Sequence, residues 1–126
     1  MNGRQKGARL LVALGSFVLF ASAALHCFAA YSKLLSPALT ASNLSPGLQA
    51  ALRVIFLSVG WHWVVIAIVA LIAAFTETKL RKVLVLLCGL AVLLEAGAGA
   101  SMMGFFIGNE MIGAGGLLLV LGGLLF

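Results

Sequence analysis

Charge is scarce in this sequence. Only 9% of its 126 residues are charged, and three of those are acidic. A soluble domain of this size carries about 25% charged residues. With 63% hydrophobic residues and a mean hydropathy of +1.22, the polar surface is too small to cover a globule in water. The other absences narrow the class further. There are two cysteines, Cys27 and Cys88, and no CxxC, which argues against a four-span disulfide oxidoreductase. Placed in different helices about 12–15 Å apart along the membrane normal, they are too distant for a disulfide, which needs Cα atoms within about 7 Å. No nucleophile–base pair, phosphate loop or dinucleotide fingerprint is present, so the reading leans away from an enzyme. The net charge of +5 is not interleaved with aromatics into a basic patch, which excludes nucleic acid as a partner.

What is present is a series of long apolar runs, each long enough to read as a membrane span. The expectation is a single all-α transmembrane domain over 1–126, with spans at about 10–35, 50–75, 80–104 and 109–126. A loop at 36–49 holds both prolines, Pro37 and Pro46, among Ser, Thr and Asn. Ser45 before Pro46 reads as an N-cap with proline at the first helical position. The last span is short, and Gly108-Asn109-Glu110 reads as the turn before it, with Glu110 favoured at that helix N-terminus. The beginning of the chain imitates a secretory signal: Arg4, Lys6 and Arg9, then apolar 10–20, then Ala21-Ser22-Ala23. The apolar stretch continues through Tyr31, however, and the expectation is a retained span.

Arg4, Lys6, Arg9, Lys79, Arg81 and Lys82 fall on one side of this arrangement, and only Lys33 and Arg53 on the other. The positive-inside rule then puts both termini in the cytoplasm and the 36–49 loop outside, in a bacterial inner membrane. Lipid does not reward apolar burial between helices, so small residues must let the backbones approach. The third span offers Ala96, Ala100 and Gly104, with Gly97 and Ser101 alongside. The fourth offers Gly115, Gly116, Gly122 and Gly123. These faces either pack the monomer or join it to a second copy or a partner subunit.

Ionisable residues within spans are functional candidates. His26, His62 and Glu95 fall at similar depths in the outer half, on three different helices, and are expected to line a shared interior cavity. Such a set suits a proton relay, because imidazole changes charge near neutral pH. It also suits a polar ligand pocket. Two His and a Glu could take a divalent transition metal, and two His could ligate a haem, although no cofactor follows from the residues themselves. The bland reading is that these groups bond to one another, to backbone carbonyls, or to Ser22 and Ser58, and hold the bundle in register. Trp61 and Trp63 flank His62 and could wall a pocket, including one for a quinone-like ligand; their indole N–H groups need partners. Arg53, near the outer end of its span and about 180° from His62, is an interfacial anchor or a site for an anionic lipid or substrate.

Ala24-Leu25-His26, the Pro-containing loop, Leu52-Arg53 and Gly60-Trp61-His62 together resemble small four-span bacterial membrane proteins, and more loosely the DoxX-like group. The resemblance implies a compact four-helix bundle associated with membrane redox systems, and it carries no catalytic residues. The leading functional expectation is a membrane-embedded binding or transport protein with a His/Glu cavity. The alternatives are an accessory subunit of a larger membrane complex, a redox complex included, and a haem or metal protein.

Overall fold

The computed structural model describes residues 3–126, so Met1 and Asn2 of the basic N-terminal segment lie outside the described residues. Every regular element among them is helical. Helix α1 (Gly3–Ala24) runs without a break into a π-helical segment (Leu25–Leu35) and then α2 (Ser36–Thr40). Helices α3 (Pro46–Phe75), α4 (Arg81–Met103) and α5 (Ile107–Leu125) follow. Four continuous helical stretches are long and apolar enough to cross a membrane: Gly3–Thr40, Pro46–Phe75, Arg81–Met103 and Ile107–Leu125. The chain is thus consistent with a multi-pass membrane protein.

Two boundaries differ from the sequence reading. Most of the 36–49 segment is helical, and only 41–45 lies between helices. Pro37 does not break the first helix. Its missing N–H falls where i→i+5 bonding gives way to α2, at a first turn that tolerates proline. Ser45 is the N-cap of α3 as expected, its hydroxyl accepting from the Leu48 N–H at 3.4 Å. The second difference is at the last turn, which lies at 104–106 rather than at 108–110. Gly104 turns the chain there with φ +77°, a backbone state that a Cβ would strain. Asn109, read as a turn residue, is buried in the first turn of α5. Its amide donates to the Gly104 carbonyl at 3.1 Å, and Glu110 stands exposed beside it in that same turn. The earlier start gives α5 19 residues, or about 28 Å, close to a full hydrocarbon core.

Helices α1 and α4 pack against α5, and α3 packs against α1 and α4. Gly15 of α1 meets Gly115 of α5 so closely that a Cβ on Gly15 would lie 2.9 Å from the Gly115 carbonyl oxygen. On the opposite side, a Cβ on Gly89 of α4 would lie 2.9 Å from the carbonyl oxygen of Gly116. Gly122 continues the α1 seam against Val12, and Gly123 the α4 seam against Leu86. The fourth-span glycines therefore serve packing inside the chain. The C-terminal stretch of α4 differs. Around Gly97 nothing lies within 4 Å of a built Cβ, and Ala96, Gly97, Ala100 and Ser101 floor an open groove with Phe105 at its end.

One end of the bundle is knitted by arginines. Arg4 donates to the Leu124 carbonyl at 3.3 Å, and Arg9 to the Ala74 carbonyl at 3.1 Å. Arg9 also lies over the Phe75 ring, and Arg81 over that of Phe126. Guanidinium groups thus satisfy the last carbonyls of α3 and α5, where the helix dipoles favour positive charge. The start of α1, the end of α5 and the α3–α4 turn share this end, and the short α4–α5 connection lies at the other.

Candidate functional site

Of the three acidic residues, Glu95 alone lies well inside a candidate span; Glu77 lies in the α3–α4 turn and Glu110 in the first turn of α5. It sits on α4 facing α3, and both of its oxygens are engaged. Oε2 accepts the Trp63 indole N–H at 2.7 Å, and Oε1 lies 2.8 Å from His62 Nδ1. The two partners reach one carboxylate because Trp63 and His62 are adjacent on α3, about 100° apart around it. Trp63 points to the bundle interior and is 7% exposed. His62 stands at the flank, beside exposed Val65 and buried Ile66.

These bonds constrain where a proton can reside. An indole nitrogen can only donate, so Oε2 must accept. A proton carried by Glu95 therefore sits on Oε1 and is directed at His62 Nδ1. The contact between Oε1 and Nδ1 is a hydrogen bond whichever of the two atoms carries the hydrogen. On the inner side the pair ends at Trp63, whose indole nitrogen only donates.

His26 approaches from the other side of Trp63 but is not bonded to the pair. Its ring stacks on Phe56 with centroids 3.9 Å apart and meets Trp63 edge-on at 5.1 Å. Its Nε2 lies 2.8 Å from the Phe56 carbonyl oxygen, which can only accept, so Nε2 carries the hydrogen. The π-helical segment begins at Leu25, so residues after His26 no longer follow the 100° step that would place Ala29 and Ala30 on its face. Opposite it, Gly60 leaves room for Cys27: a Cβ on Gly60 would overlap the Cys27 sulfur.

Three corrections to the expected cavity follow. His26, His62 and Glu95 form a layer, but Trp63 stands between His26 and the other two. Among the described residues no three His, Cys, Asp or Glu side chains are grouped to hold a metal ion, and the two imidazoles face different partners rather than one gap. The His62–Glu95 pair is also not enclosed. Their side chains are 49% and 34% exposed, and they open sideways along the flank between α3 and α4. Ser22 and Ser58 do not join: each hydroxyl donates within its own helix, to the Val18 carbonyl at 2.8 Å and the Ile55 carbonyl at 2.7 Å. Trp61 points away from the pair, 66% exposed, and lines a separate groove between α1 and α3. Arg53 lies outside the network, its Nε buried without an acceptor among the described residues.

No protein family, curated protein or solved structure matches this chain. Phe56 is the participant that sequence reasoning missed. Its role lies in a backbone carbonyl and a stacked ring, and neither leaves a pattern in residue order. Trp63 was signalled only through the unmet need of its indole N–H.

Proposed function

We propose that the chain is a membrane-embedded binding or transport protein, crossing a bacterial inner membrane four times with both termini in the cytoplasm. Its binding group is the Glu95–His62 pair. The observation that carries this reading is a carboxylate fixed by two short hydrogen bonds at mid-span, with its His partner half open to the lipid side. A polar pair exposed to hydrocarbon is costly, and such groups face a cavity or a partner. Here the open side is supplied by whatever approaches along the α3–α4 flank. A ligand entering from the lipid phase would meet His62 Nε2, and its binding would be coupled to proton exchange between Nδ1 and Oε1. Because Trp63 closes the inner end, the pair supports one-proton coupling at a binding site rather than a continuous proton wire to His26.

The basic end knitted by Arg4, Arg9 and Arg81 supports the topology, since a cluster of Lys and Arg marks the cytoplasmic side. The purified protein, screened for a rise in melting temperature with lipid-soluble compounds bearing hydroxyl, carbonyl or amine groups, tests the binding role. A compound that stabilises the wild type is expected to lose its effect on Glu95→Gln, while the helical circular dichroism is retained. Equal stabilisation of wild type and Glu95→Gln would reject Glu95 as the binding group.

A second reading, an accessory subunit joined to a larger complex, is favoured by the outer half of α4. Leu94, Met102, Met103 and Phe105 are widely exposed beside the open floor of Ala96, Gly97 and Ala100. On this reading a helix of a partner or a second copy covers the same flank. Native mass spectrometry of gently solubilised membranes should then show a complex, and a lone monomer would count against it.

A further inference from the structure

The groove between α1 and α3 lies away from the Glu95 network. It encloses about 560 Å³ and is lined by Phe20 and Phe28 on one side and Leu57, Gly60, Trp61 and Val64 on the other. That volume falls within the range of about 300–1,000 Å³ typical of ligand clefts. Its walls are almost wholly apolar. At its upper end the chemistry changes. Arg53, Leu57, Gly60 and Val64 follow one another at steps of four, three and four residues, which places them on one stripe of α3. Arg53 is therefore one turn above the groove. Its Nε is buried, with no acceptor among the described residues, and a buried donor left unpaired is costly. Helix α3 has 30 residues, about 45 Å, against a hydrocarbon core of about 30 Å. Centred on the bilayer, it would hold Arg53 roughly 4 Å beneath the boundary, within reach of lipid phosphate. No acidic residue lies on α3 or on the helical stretch Gly3–Thr40 that faces it, whereas Lys33 adds positive charge to that stretch.

We propose that this seam is a site for one anionic phospholipid of the leaflet remote from the basic end, its phosphate on the Arg53 guanidinium and one acyl chain along the groove against Trp61. The guanidinium supplies paired donors that match phosphate. The apolar walls accept the chain, and the net positive charge selects an anionic headgroup over a zwitterionic one.

The test uses the full chain in phosphatidylcholine vesicles that contain a minor fraction of acyl-brominated lipid. The brominated lipid is either phosphatidylglycerol or phosphatidylcholine at equal mole fraction. Bromine quenches nearby indoles, so Trp61 reports occupancy of the groove. An Arg close to the surface enriches anionic lipid about fivefold, and quenching by brominated phosphatidylglycerol should be correspondingly deeper. Arg53→Gln should bring the two lipids close to equal quenching, Arg53→Lys should retain part of the difference, and Lys33→Gln should reduce it less than Arg53→Gln does. Trp61→Phe should remove the excess quenching. Equal quenching of the wild type by both lipids would overturn the proposal. So would a preference that survives Arg53→Gln in protein of unchanged helicity, or one that survives Trp61→Phe.

Discussion

Gly15→Leu is expected to destabilise the bundle by about 3 kcal/mol, the upper end of the usual cost of overpacking. A Cβ at this position would lie 2.9 Å from a backbone oxygen of α5 and 3.1 Å from the Leu118 Cβ. Neither atom is the free end of a flexible side chain, so accommodation requires α1 and α5 to separate. Gly89→Leu should act in the same way on the other flank of α5, where the Val120 backbone nitrogen stands 2.8 Å from a built Cβ. Gly97→Leu provides the contrast. It lies on α4, has nothing within 4 Å, and should be close to neutral in the isolated monomer. Denaturant titration in detergent micelles, followed by helical circular dichroism, checks the three together. Equal stability of Gly15→Leu and Gly97→Leu would mean that α1 and α5 do not approach as described.

The second large effect separates two substitutions of one residue. Glu95→Ala removes the acceptor of the Trp63 indole, which is buried and has no other partner among the described residues, and should cost about 1–3 kcal/mol for the unpaired donor. Glu95→Gln is expected to be far milder. Its amide oxygen can still accept from Trp63, and its NH2 can donate to His62 Nδ1 once the imidazole adopts the other tautomer. Both hydrogen bonds then survive, while the carboxyl proton that defines the proposed exchange is gone. Thermal unfolding of the two variants should therefore diverge. If Ala and Gln at position 95 are equally stable, the Trp63 bond contributes nothing to the fold.

The number of helices long and apolar enough to cross a membrane, the Ser45 cap and the common end of the N-terminal and α3–α4-turn arginines were legible in the sequence because each depends on local chemistry. Apolar run length, capping side chains and charge clustering need no knowledge of neighbouring helices. The individual roles of the fourth-span glycines were not legible. Gly115 and Gly116 are adjacent in sequence yet serve opposite seams, which only the positions of α1 and α4 decide. The site was half legible. Depth arithmetic placed His26, His62 and Glu95 in one layer, but residue order does not show that the Trp63 indole stands between His26 and the other two. The expected interior cavity failed for a geometric reason. His62 stands about 100° around α3 from Trp63, and the interior position belongs to the larger indole.

Hydrogen exchange of the two indole N–H groups, measured by NMR on the protein in micelles, tests the Trp63–Glu95–His62 arrangement most directly. Trp61 and Trp63 are the only tryptophans, and a Trp61→Phe variant assigns the signals. The expected result is a Trp63 indole proton far slower to exchange than that of Trp61, slow still in Glu95→Gln and fast in Glu95→Ala. A Trp63 proton that exchanges as fast as that of Trp61, or that is indifferent to Glu95→Ala, would contradict the carboxylate bridge between α3 and α4.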